Sequence, residues 1–101
     1  MQIVDIHPHI VSDDTTRYPI QPQAGHRSEW SAHRSITFEQ LVAEMDEAGV
    51  AKAAIVHSST TYGYNNDYVA DSVARDPRRF AGVFSFDVLS PDALKTFHHW
   101  L

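Results

Sequence analysis

Asp5, His7 and His9 stand two residues apart near the start of the chain. Successive side chains of a β-strand point to opposite faces, so this spacing directs all three to one side. Two imidazoles presented together can each give a nitrogen to one divalent cation. Zinc is the metal best matched to such ligands, and manganese is the alternative. Pro8, between the two histidines, stiffens the exit of the strand and fixes the angle between the rings. A catalytic zinc takes about three protein ligands and a water, so further ligands are expected from elsewhere. The plainer reading is two polar histidines at a strand-to-loop boundary that bind nothing.

Other side chains carry weaker signals. His57 ends an apolar stretch that reads as a strand. It is either a substrate contact at the same rim as His9 or a structural histidine hydrogen-bonded at a strand end. Arg17 and Tyr18 lie in a long first loop, where the planar arginine fork can hold a substrate carboxylate or simply be solvated. His26 and His33 share that loop without a ligand spacing and read as solvated. His98 and His99 are adjacent on a helix, diverge by about 100° and read as surface residues. No acid/base residue is identified. The absence of cysteine excludes disulfides, thiolate metal sites and a cysteine nucleophile.

The elements that must position these residues alternate. Ile3, Val4 and Ile6 predict a strand near 2–7, ended by Pro8, which cannot donate to a sheet ladder. Residues 9–35 are polar and aperiodic, a long loop of the kind that is usually functional. Thr37 and Gln40 form a capping-box pattern, with Ile36 and Leu41 placed to staple the helix start. Phe38, Leu41, Val42 and Met45 repeat at helical spacing, and Gly49 is the stop, giving a helix near 37–49. The apolar run 53–56 predicts a strand near 52–57 buried on both faces. A loop at 58–64 leads to a helix near 65–76, capped by Asn65 or Asn66. Val69, Ala70, Val73 and Ala74 face inward on it, and Asp71 and Arg75 stand one turn apart as an exposed ion pair. Phe80 to Phe86 reads as a third strand. Ser90-Pro91 opens a helix near 91–101, with Leu94, Phe97 and Leu101 along one side. The β-α-β-α-β-α order predicts an α/β fold with parallel strands and right-handed crossovers.

Composition narrows the partners. The 101 residues suit one small domain or a piece of a larger one, and 43% hydrophobic with 21% charged residues is ordinary for a globular protein. A net charge of −5 offers no basic face for phosphate backbones, so no nucleic acid is expected. No apolar run approaches the ~20 residues of a membrane helix, so no membrane is expected either. The first six residues lack the basic and apolar regions of a secretory signal. With no cysteine to suggest an oxidising compartment, the expected location is cytoplasmic.

Val4-Asp5-Ile6-His7-Pro8-His9 resembles the Asp-x-His-x-His signature of the amidohydrolase superfamily. Arg17-Tyr18-Pro19 resembles its amidohydrolase-related (amidohydrolase 2) subgroup, as do Met45-Asp46-Glu47-Ala48-Gly49-Val50 leading into Ala53-Ala54-Ile55-Val56. Tyr62-Gly63-Tyr64-Asn65-Asn66 and Pro77-Arg78-Arg79-Phe80-Ala81-Gly82-Val83 complete the likeness, which runs in order along nearly the whole chain.

The resemblance implies the N-terminal part, residues 1–101, of a metal-dependent-hydrolase-type (β/α)8 TIM barrel. It makes His7 and His9 direct metal ligands, with the remaining ligands and the acid/base residue on later strands. Some lactonase relatives work without a metal, and His7 and His9 would then contact substrate. The implied activity is hydrolysis of a small lactone, ester or amide, or else decarboxylation of an unsaturated or aromatic acid.

Two rival readings come from other classes. One is a non-catalytic truncated fragment. The other is an open-sheet binding protein, which would need a Gly-rich phosphate loop after the first strand, and Pro8-His9-Ile10-Val11 is not one. A whole barrel takes ~250 residues and eight strands, so the isolated chain is expected to be inactive. It is also expected to be loosely packed, or to self-associate through the unpaired edge of its third strand and the apolar face around Ile3.

Overall fold

The computed structural model describes residues 1–101. Eight elements follow in order: β1 (Ile3–Asp5), α1 (Glu29–His33), α2 (Phe38–Ala48), β2 (Val50–Val56), α3 (Ser59–Tyr62), α4 (Asp67–Arg75), β3 (Phe80–Val83) and α5 (Ala93–Trp100). α2 is built as its sequence dictates. The Thr37 side chain accepts from Gln40 N and the Gln40 side chain accepts from Thr37 N, while Gly49 ends the helix in the left-handed region at φ 75°. Its buried stripe is Phe38, Leu41 and Met45, with Ile36 and Val42 packed alongside.

The three strands form one parallel sheet in the order β1-β2-β3. β2 and β3 run in register from Ala53 opposite Phe80 to Val56 opposite Val83. β1 meets β2 through an irregularity between Ile3 and Val4. α2 and α4 both pack on this sheet, and burial along β2 alternates accordingly. Ala53, Ile55 and His57 are buried, whereas Lys52, Ala54 and Val56 are not. The strand expected to be buried on both faces is therefore covered on one. Val4 and Val83, at 49% and 46% exposure, belong to the open side. Extents of 44 × 30 × 21 Å describe a two-layer slab, not a closed barrel.

The core lies between α2, α4 and the sheet. Ile55 is fully buried, worth roughly 2 kcal/mol of apolar transfer, and the Phe38 and Phe80 rings meet edge to face at 5.1 Å. Ile10 and Val11, from the polar first loop, are also in it. Val11 N donates to Ile36 O at 2.8 Å, pinning that loop across the start of α2. At the opposite end of β2, Arg79 donates to the Val50 and Ala51 carbonyls at 2.9 Å each. It also pairs with Asp46 at 2.7 Å.

Several expectations are corrected. β1 and β3 are shorter than predicted because neither has a neighbour on its outer edge and residues 84–86 have left the ladder. The loops 9–35 and 58–64 contain the short helices α1 and α3. The inward face of α4 is Tyr68, Val69 and Ser72, whereas Ala74 is exposed. Asp71 and Arg75 do not pair with each other. Asp71 takes Tyr18 and Arg17, and Arg75 takes Glu39. Asn65 Oδ1 accepts from Asp67 N at the start of α4, while Asn66 turns its amide to the exit of β3. α5 begins two residues later than predicted and buries nothing fully. It is held through Phe97 on Phe86 and Trp100 on Phe84. No helix is long and apolar enough to cross a membrane.

Among the glycines, Gly63 has the least room for a side chain. Its φ of 62° and ψ of −121° suit glycine, and a Cβ there would sit 2.8 Å from Gln21 O. Gly25, at φ 80°, has open space around it. Chemical denaturation should find Gly63→Ala less stable by about 2–3 kcal/mol and Gly25→Ala by about 1. Equal losses would refute the close approach.

Candidate active site

The histidine pair is placed by the seam between β1 and β2. β1 ends at Asp5, so strand alternation does not itself align His7 and His9. Asp5 turns its carboxylate back to accept from His7 N at 3.0 Å. Val56 N donates to Pro8 O at 2.9 Å, and His9 Nδ1 lies 2.8 Å from Val56 O. A carbonyl only accepts, so Nδ1 carries the proton and Nε2 keeps a free lone pair. The His7 and His9 ring centres are 5.1 Å apart with planes at 78°.

That spacing fits a shared ion. Two imidazoles on one tetrahedral zinc, with Zn–N of ~2.0–2.1 Å, stand ~5 Å apart centre to centre. A ligand ring whose other nitrogen donates to a backbone carbonyl is the usual arrangement at metal centres. The chain itself brings no third ligand to the place: no cluster of three or more His, Cys, Asp or Glu side chains is close enough to hold a metal. His7 is exposed and His9 half-buried.

His57 continues the buried, helix-facing series of β2. Its Nε2 donates to Gly63 O at 2.6 Å, closing the turn after α3. Nδ1 is then an acceptor, and it is buried without a partner. Burial pushes the His57 pKa down; the Gly63 carbonyl works against that shift and nearby His9 adds to it.

Arg17 and Tyr18 are brought to α4. The Tyr18 hydroxyl donates to Asp71 at 2.6 Å, its ring packs on Tyr68 at 4.7 Å, and Arg17 lies 3.5 Å from the same carboxylate. Burial and the Asp71 carboxylate push the Tyr18 pKa up to about 12. His26, His33, His98 and His99 are exposed.

Sequence reasoning passed over two features. Trp30 of α1 lies against His9, with ring centres 5.5 Å apart. Asn66, fully buried, bonds both the N and the O of Ser85 and so ties the β3 exit to the start of α4. A cleft of about 420 Å³, lined by Gln23, Ala24, His26, Ser28, Ser59 and Thr60, opens where the first loop crosses α3.

No protein-family model matches the sequence, and no curated protein matches it. Among solved structures, the chain is similar to a probable 2-pyrone-4,6-dicarboxylic acid hydrolase from Acinetobacter baumannii with citric acid bound. The TM-score is 0.59 at 16% identity, over 99% of this chain and 35% of that one. The likeness is one of fold. This chain spans about a third of the length of that protein.

The state of His57 generates a prediction. Its folded pKa is depressed, so below the ordinary value of 6.5 the unfolded chain takes up a proton that the folded chain resists. The residue therefore costs nothing well above that pH, and its penalty grows as pH falls through it. Urea unfolding at about pH 7 and pH 5 should show a steeper loss in the wild type than in His57→Gln. Equal slopes would place the His57 ring in solvent.

Proposed function

We propose that this chain forms the first three strand-helix units of a metal-dependent barrel hydrolase of the amidohydrolase type, acting on a small lactone or ester. The observation that carries the reading is the histidine pair at the C-terminal end of β1, spaced for one ion, with His9 Nε2 left free. Barrel enzymes build their sites at that end of the strands. The fold likeness to a probable pyrone dicarboxylic acid hydrolase supports the lactone class.

In this reading His7 and His9 hold the metal. When bound, a divalent metal polarises a carbonyl and acidifies water. Asp5 fixes the backbone at His7, and Val56 sets the tautomer of His9. Two ligands fall short of the about three usual at a catalytic zinc, so the remaining ligands and the acid/base residue belong to strands beyond β3. The open side of the sheet, with Val4, Val56 and Val83, then faces the barrel interior.

Calorimetry of this chain with zinc should show weak uptake, lost in His7→Ala and in His9→Ala. No uptake by the wild type would overturn the metal reading. The chain alone, loaded with zinc or manganese, should turn over no lactone, ester or carboxylic acid at an enzymic rate. Joined to the remaining strands it should open lactones in a His7- and His9-dependent way. Release of carbon dioxide in place of ring opening would assign a decarboxylase, and full activity of the 101 residues alone would refute the partial-barrel reading.

A further inference from the structure

The His9 ring has one polar anchor, the 2.8 Å contact from Nδ1 to Val56 O. A single hydrogen bond sets the tautomer only while the ring stays seated on it, and it does not by itself stop the ring from swinging away. The indole of Trp30 meets that ring at 5.5 Å between centres, with planes 39° apart. Trp30 is half-buried and belongs to a helix of five residues, far below the ~12–15 at which a helix persists alone.

What holds α1 is Ser31, fully buried beside Trp30. Arg27 Nη2 and Ser35 Oγ donate to Ser31 O at 2.6 and 2.8 Å. Arg27 Nε donates to Ser31 Oγ at 3.2 Å, and Ser31 Oγ donates to Ser28 O at 2.9 Å. A two-sided clamp on one serine thus fixes the position of a tryptophan whose face lies on His9.

We propose that Trp30 is a positioning residue for His9, holding the imidazole plane so that Nε2 faces the point shared with His7. The inference rests on the reading of His9 as a metal ligand. It adds that the long first loop supplies the packing that orients that ligand.

The test compares the wild type with Trp30→Ala and Trp30→Phe, each checked for folding by its thermal midpoint. In long-range ¹H–¹⁵N spectra the wild-type His9 should appear as one Nδ1–H tautomer. Trp30→Ala should give a mixture, and Trp30→Phe, which restores a flat ring, should recover the single form. Zinc calorimetry should show affinity roughly tenfold weaker in Trp30→Ala, the low end of what removing an orienting partner costs a metal ligand, and recovered in Trp30→Phe.

A fixed tautomer in Trp30→Ala overturns the proposal, as does unchanged zinc affinity in a chain that binds zinc. If the wild type takes up no zinc, the metal reading fails and the tautomer comparison alone decides the role of Trp30. Should Trp30→Ala unfold, Trp30→Leu, which keeps apolar bulk without the flat face, is read by the same criteria.

Discussion

Both peptide groups of Val56 that face β1 are spent on the residues of the candidate site. Its N–H holds Pro8 O and its C=O holds His9 Nδ1. The second bond replaces a ladder bond that β1, ended at Asp5, no longer supplies. The end of β2 thus decides where the histidine pair sits, which nitrogen of His9 is free, and where the first loop departs. A shift of one residue between β1 and β2 would present the wrong carbonyl and move Val4 from the open side of the sheet to the helix side. The core contacts of Ile55 and the position of His9 therefore stand or fall with one register.

The same strand ends organise the connections beyond them. β2 runs on into His57, which closes the Gly63 turn, and β3 runs on into Ser85, which Asn66 holds by both backbone groups. Gln21 and Gln23 donate to the carbonyls of Thr61 and Ser59, so the first loop is bonded to α3. These are bonds between loops, made where ladder bonds have ended, and they give the rim a defined shape without regular structure. The opposite end of β2 is closed by Arg79 on Val50, Ala51 and Asp46. His7, His9 and His57 lie at one end of β2 and the Arg79 clamp at the other.

What could be read in advance follows from range. The capping box, the Gly49 stop and the stripe of α2 are determined within a few residues, and each is present. The parallel order of the strands follows from alternation and is observed. The closeness of His7 and His9 was legible from their spacing, though the rings approach around Pro8 and not along a strand face. Trp30 was not legible, since its place depends on Ser31 hydrogen bonds inside an aperiodic loop and on contact with a residue far away in sequence. The partners of Asp71 and Arg75 failed for a related reason. One helical turn makes them neighbours, but Tyr18 and Glu39, from other segments, reach them with better geometry.

The electrostatics of the rim keep His57 uncharged. Burial lowers the His57 pKa and His9 adds to that, so a positive charge on the His57 ring is disfavoured. Nε2 of His57 is committed as a donor to Gly63, which leaves Nδ1 as the atom a second proton would take, and that atom is enclosed without a partner. Protonation would bury an unpaired charge, so the ring stays neutral at neutral pH. A divalent ion on His7 and His9 would strengthen that preference, because its charge would act on His57 as a protonated His9 would. A neutral His57 in turn withholds the repulsion that would weaken such an ion.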